Sequence, residues 1–214
     1  ADTAPGHHWR EVARVAEYID RTDRSEDRDA GFEVMTKLVP WAADMPFRLL
    51  DIGSGQGIVA AAFLDAYPQC TAFGLDISEA MIEEGESRMT RFGERFSFVL
   101  GDFGGGYLPA AVTTLGPFDV VVSSKAIHHL APEEIERLYG IVFANLSSGG
   151  CFFNFDAAAP PDRFLKDLFR SVRKSSGAQR RKDNQIRTLE EGETHSQDTM
   201  LVDVKQLLKR LNCR

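Results

Sequence analysis

The residues with the most chemistry lie in the middle of the chain. Asp51, Gly53, Gly55 and Gly57 alternate in the run DIGSGQG, with Ser54 between the first two glycines. Glycine has no Cβ, so such a backbone can turn tightly and lie directly against a bound molecule. A carboxylate just ahead of the loop suits a positive ligand group and repels a negative one. Further on, Asp76 stands in GLDIS, and Asp102 stands in GDF with Phe103 beside it. Both carboxylates are acceptors for hydroxyl or amino donors. His128 and His129 are adjacent, and histidine is the side chain best suited to take up and return a proton near neutral pH.

These residues need elements to position them. From Phe47 onward, short apolar runs alternate with helical segments. The pattern predicts strands at Arg48–Asp51, Thr71–Asp76, Phe96–Leu100, Phe118–Ser123 and Gly150–Phe155. It predicts helices at Gly57–Tyr67, Ser78–Arg91 and Pro132–Leu146, where Ser78 and Pro132 are favourable helix starts. Runs such as FDVVVSS and CFFNF are apolar on both faces, as in a parallel sheet covered by helices on both sides. The expected fold class is therefore α/β, with a doubly wound, mainly parallel sheet. In that architecture ligands sit beyond the carboxyl ends of the strands, which is where the three glycines fall.

Ahead of the alternation, a first helix is predicted at Trp9–Asp20 and a second at Gly31–Val39, stopped by Pro40. The charged run DRTDRSEDRD between them reads as a solvated connection. After the fifth strand come a helix at Asp162–Lys174, a polar stretch from Ser175 to Gln197, and a closing helix with Val204, Leu207, Leu208 and Leu211 on one face. Residues 1–40 are expected to form a helical lid or cap, and residues 41–214 the main domain.

Two ligand classes compete for the glycine loop. A dinucleotide site wants G-x-G-x-x-G, but that register places Ile58 where the third glycine belongs. A dinucleotide also carries a pyrophosphate, which Asp51 would repel. A sulfonium cofactor carries an ammonium, a carboxylate and a positive sulfur, and Asp51 suits its cationic end. The order of motifs from Phe47 to Asp156 resembles the class I S-adenosylmethionine-dependent methyltransferases, in their broad small-molecule group. Asp51, Gly53, Gly55 and Gly57 match the family's first motif, FDVVVSSKAIHHL its fourth strand and exit loop, and LSSGGCFFNFD its turn into strand five.

The resemblance implies a Rossmann-like fold, S-adenosylmethionine as cofactor and transfer of its methyl group. It implies that Asp76 holds both ribose hydroxyls and that Asp102 and Phe103 read adenine. Ile77 and Met81 fall near the adenine edge, though both residue types also suit a core. Ser54 and Ser123 fall at the loop and at the end of the fourth strand, and are assigned to the cofactor with them. His128 and His129 fall close to the transferred methyl. One of them can serve as general base, or the pair can be the structural feature common in the family. Taken singly, Asp51 can be a strand-end cap, Asp76 suits NAD equally, and Asp102 can be a turn residue. The alternatives to a methyltransferase are a non-catalytic S-adenosylmethionine-binding protein and an enzyme using a related nucleotide such as NAD.

The acceptor site is expected from Trp9, Tyr18 and Arg21 in the lid, from GDFGGGYLPAAVTTLGPFD, and from DAAAPPDRF after the fifth strand. The fourth strand ends in SSKAIHHL and lacks the N-P-P-Y-type signature of enzymes that methylate amide or exocyclic amino nitrogens. The chain has 214 residues, a formal net charge of −7 and 43% hydrophobic residues. An acidic balance argues against nucleic acid as substrate and for a small-molecule acceptor. Its three cysteines are far apart and form no metal cluster, which fits a cytoplasmic protein. No apolar run approaches the roughly 18 residues of a membrane helix.

The family's sheet closes with an antiparallel hairpin, and no segment here reads as one. The apolar fifth strand would then be left at an edge that proteins normally cover. The expectation is that the natural protein continues past Arg214, or that a second subunit covers the edge in a homo-oligomer.

Overall fold

Strands that are apolar on both faces need cover on both sides, and the chain supplies it. The computed structural model describes residues 26–156, and Arg163 beyond them. Five strands are seen: β1 (Phe47–Ile52), β2 (Cys70–Asp76), β3 (Phe96–Leu100), β4 (Phe118–Ser124) and β5 (Leu146–Phe155). Between and before them lie α1 (Glu26–Lys37), α2 (Ile58–Ala66), α3 (Glu79–Met89), the one-turn α4 (Ala110–Thr113) and α5 (Pro132–Asn145). The strands form one sheet in the order β3-β2-β1-β4-β5, and every neighbouring pair is parallel. This is the Rossmann-like methyltransferase topology expected from the sequence. The strand order reverses between β1 and β4, which opens a crevice at their carboxyl ends.

Side chains along a strand alternate between faces, so each strand feeds two cores. Leu49, Ala72, Val120 and Val122 pack on one side with Phe32 and Met35 of α1 and Phe63 of α2. Leu50, Ile52, Leu75 and Val121 pack on the other with Ile135, Leu138 and Val142 of α5. Phe63 and Phe118 are among the largest side chains wholly removed from water, each worth about 1.5–3 kcal/mol on burial. α3 starts where Ser78 Oγ accepts from the Met81 N–H at 3.3 Å. α5 starts at Pro132, with Glu134 accepting the Ala131 N–H at 2.8 Å.

Three readings of the sequence need correction. α1 begins at Glu26, inside the run taken as a solvated connection, because Asp29 and Glu33 suit the exposed side of a helix whose other side carries Phe32 and Met35 into the core. The helix expected at Ser78–Arg91 closes as α3 at Met89, and a 3-10 segment, Thr90–Arg95, runs on to β3. β5 begins at Leu146, but its register shifts between Phe118↔Leu146 and Val120↔Cys151. The turn read in LSSGG is thus absorbed as an irregularity, with Gly149 at φ +81°.

Among the described residues β5 is an edge strand. The predicted helix Trp9–Asp20, the stretch from Ser175 to Gln197 and the closing helix lie outside the described residues, as does all of Asp162–Lys174 but Arg163.

Candidate functional site

The glycine loop leaves β1 at the crevice and enters α2. Gly53, Gly55 and Gly57 have φ of +69°, +54° and +76°, a region that side chains with a Cβ rarely occupy. The space around the first two differs. A Cβ on Gly53 would lie 2.2 Å from the Cβ of Ala126, so this glycine is needed for the exit of β4 to pack against the loop. A Cβ on Gly55 would meet nothing within 4 Å. Gly55 therefore faces open space, where a ligand can approach the bare backbone.

The loop is held from β2. The Gly53 and Ser54 N–H groups donate to Leu75 O at 2.8 and 3.0 Å, and Gly57 N–H to Ser54 O at 2.8 Å. The Gly55 N–H donates to Asp76 Oδ2 at 2.6 Å. The other Asp76 oxygen accepts from the Ser78 N–H at 2.8 Å, so this one carboxylate ties the loop to the start of α3. Desolvation raises its pKa, against the hydrogen bonds from Ser78 and Gly55. Each oxygen keeps lone-pair capacity for a further donor.

The loop's amides are largely satisfied by the protein itself, and the Ala60 N–H in the first turn of α2 donates to Asp51 Oδ2 at 3.3 Å. Asp51 is fully buried, and its Oδ1 has no partner, as is also true of Ser54 Oγ. Burial raises the Asp51 pKa to about 7, opposed by the Ala60 hydrogen bond and reinforced by Asp76. Two carboxylates under a loop with few free amides make a poor cradle for a pyrophosphate. They suit a cation.

Next to the loop, beyond the ends of β2 and β3, lies a cleft of about 400 Å³ lined by Ile77, Glu79, Ala80, Glu83, Leu100, Gly101 and Asp102. Its apolar lining suits a flat ring, and its acidic rim offers acceptors for an amino group. Asp102 Oδ1 accepts the Gly104 N–H at 2.6 Å, so this residue also makes its own turn. Phe103 is partly buried against the core, 3.6 Å from the position of a Cβ on Gly53.

Two of the expected contacts are largely enclosed by the protein itself. Met81 is 4% exposed and packs inside. Ser123 is fully buried and its hydroxyl donates to Ile52 O at 2.8 Å, which latches β4 to β1. Short-range pattern places them near the site but cannot show which way they point.

At the exit of β4, Lys125 takes φ +54° and donates its N–H to Phe155 O at 3.0 Å. This conformation is costly for a residue with a Cβ, by about 1–2 kcal/mol. It turns the chain into the 3-10 segment Ile127–His129. The His128 and His129 rings lie 4.0 Å apart, centroid to centroid. His128 is partly exposed, and its Nδ1 is 2.7 Å from Asp156 Oδ1 at the end of β5. Asp156, Ala126 and the Glu79–Glu83 rim were not singled out from the sequence. The string DAAAPPDRF flagged the neighbourhood, but no spacing rule links residues 128 and 156. Trp9, Tyr18 and Arg21 lie outside the described residues.

Residues 49–150 match a family model described as a methyltransferase domain. No curated protein matches the chain in sequence. Among solved structures, the YcgJ protein of Bacillus subtilis aligns with a TM-score of 0.57 and 23% identity, covering 86% of this chain and 68% of that one. Phosphoethanolamine N-methyltransferase 1 of Haemonchus contortus, in complex with phosphoethanolamine and S-adenosylhomocysteine, aligns at 0.55 and 18%, covering 75% of this chain and 34% of that one. An O-methyltransferase family protein of Burkholderia thailandensis aligns at 0.54 and 20%, over 76% and 49%. The chain thus spans less than two thirds of the latter two. Residues 49–150 thus match a methyltransferase domain, and the five-stranded sheet has the Rossmann-like topology of these solved structures.

Proposed function

We propose that the chain binds S-adenosylmethionine at the crevice and transfers its methyl group to a small-molecule acceptor, as a cytoplasmic enzyme. The observation that carries this reading is the Gly55–Asp76 cradle: open space over Gly55, and a buried carboxylate whose oxygens retain acceptor capacity. In this reading Asp76 takes the ribose hydroxyls, and the cleft from Ile77 to Asp102 takes the adenine. The bare backbone at Gly53 and Gly55 lies against the amino-acid part. Asp51 and its orphaned oxygen act on the cationic end through the loop rather than by contact, since Asp51 has no exposed surface. When bound, the cofactor supplies a methyl carbon activated by a sulfonium, displaced in line by the acceptor's electron pair while the bonding pair leaves with sulfur.

The protein's part is to align the acceptor, exclude water and manage the proton. His128, or His129 beside it, takes a proton from an acceptor that must lose one. Residues 1–40 are assigned to the lid. The close approach of Gly31 to Phe155 supports this, since it brings the middle of α1 to the carboxyl end of β5. The net charge of −7 and the acidic rim favour a small acceptor over nucleic acid.

Calorimetric titration with S-adenosylhomocysteine, S-adenosylmethionine and NAD tests the reading. The first two should bind and NAD should not. Saturable NAD binding with no affinity for the sulfur compounds would overturn it. Incubation with a labelled methyl donor and a metabolite pool then separates an enzyme from a non-catalytic binder.

A further inference from the structure

His128 and Asp156 are joined twice. The His128 backbone N–H donates to Asp156 Oδ2 at 3.1 Å, and His128 Nδ1 lies 2.7 Å from Asp156 Oδ1. The residues come from different elements, the turn after β4 and the end of β5. The Ser124↔Phe155 pairing and the bond from Lys125 N–H to Phe155 O bring them together. The side chains are 24% and 9% exposed, so neither oxygen of the carboxylate is in bulk water. A carboxylate accepts and does not donate, so the hydrogen of the short contact belongs on Nδ1. A neutral imidazole carries only one such hydrogen, and Nε2 then keeps its lone pair.

We propose that Asp156 is a positioning residue that holds His128 in the Nδ1–H tautomer, so that Nε2 receives the proton an acceptor gives up. The purpose assigned to Nε2 rests on the methyl-transfer reading above; the tautomer does not. The plain alternative is that Asp156 only ties down the β4 exit loop through the backbone bond.

Asp156→Asn separates the two. The His128 backbone N–H is a fixed donor, so the new amide must turn its oxygen toward it. The amide NH₂ then faces Nδ1 and donates. Nδ1 becomes an acceptor, and the ring proton moves to Nε2. The loop tie survives while the lone pair at Nε2 is lost, the same logic by which an Asp-to-Asn change imposes the wrong tautomer in a Ser-His-Asp triad.

The test is nitrogen–proton correlation spectroscopy of the imidazole rings in the full, nitrogen-15-labelled chain, at a pH where the rings are neutral. His128→Gln identifies the His128 signals among the five histidines. The wild type should be protonated at Nδ1 and Asp156→Asn at Nε2. A wild type protonated at Nε2 overturns the proposal by itself, even if the variant fails to fold. An unchanged tautomer in a folded Asp156→Asn overturns it as well. S-adenosylhomocysteine should bind the wild type and Asp156→Asn within about twofold of each other, since Asp156 holds a ring and not the cofactor. Absence of binding to the wild type would sink the methyl-transfer reading, and with it the purpose of Nε2, while leaving the tautomer assignment standing.

Discussion

Replacing Asp51 by Asn removes a buried charge from beneath the glycine loop and should change how stability depends on pH. Asp51 is fully buried, with one oxygen held by the Ala60 N–H at 3.3 Å and the other without a partner. Its pKa is raised from 3.8 to about 7, chiefly by burial. In the unfolded chain it returns to about 3.9. Between those values the folded state keeps a proton that the unfolded state has released. Stability therefore falls as pH rises from about 4, and the loss is complete above about 7. Three units at about 1.4 kcal/mol each give a total near 4 kcal/mol, of which about 3 kcal/mol falls between pH 5 and pH 8. Asp76 is shifted in the same direction and remains in the variant. Urea unfolding of wild type and Asp51→Asn at those two pH values reads the difference directly. The wild type should lose about 3 kcal/mol relative to the variant over that interval. Parallel pH profiles, within about 0.5 kcal/mol, would refute the reasoning, because they would mean that Asp51 is charged or solvated in the folded state.

The same carboxyl predicts that a cationic cofactor releases a proton on binding near neutral pH, since the ligand's charge favours the ionised form. Titration in buffers of different ionisation enthalpy measures it, and no net release would count against Asp51 as a group that responds to the ligand's charge. Gly55→Val should keep the fold, at a backbone cost of about 1–2 kcal/mol, and abolish S-adenosylhomocysteine binding, because the Cβ position is open; normal calorimetric affinity would reduce the loop to a turn. Gly53→Ala should fail in the opposite way, with a large drop in melting temperature, because its Cβ meets Ala126 at 2.2 Å. Asp76→Ala should weaken S-adenosylhomocysteine by about 1.5–3 kcal/mol, the scale of a charge-assisted hydrogen bond, and unchanged affinity would remove Asp76 from the site. His128→Ala should lower turnover by about 10²–10⁴-fold with cofactor affinity kept; lost stability with turnover intact would leave the histidine structural.

Much of the framework was legible because local pattern and global fold agree. FDVVVSS is apolar at successive positions, and only a strand covered on both faces accommodates that, so β4 and its place inside a parallel sheet followed from the string. The glycines of DIGSGQG marked a loop needing positive φ, and all three adopt it. Ser78 capped α3 as its type predicts. α1 was misplaced because charged residues do not distinguish a loop from the wet side of a helix.

What the tertiary structure alone decided lies at the strand ends, where residues distant in sequence are brought together by register. Alternation along a strand assigns a face, but at a strand's end it does not say which side chain points into the crevice. Ser123 turned inward to Ile52, and Asp51 was sealed under the loop with an orphaned oxygen. Gly53 and Gly55 look equivalent in the string, yet one is required by Ala126 and the other by open space. The Asp156–His128 pair exists only because β5 lies parallel to β4 in a register that places Phe155 beside Ser124. Composition and spacing determined which chemistry the chain carries. Strand pairing determined which of those groups touch, because contact across a sheet depends on register, a property of two segments that neither encodes alone.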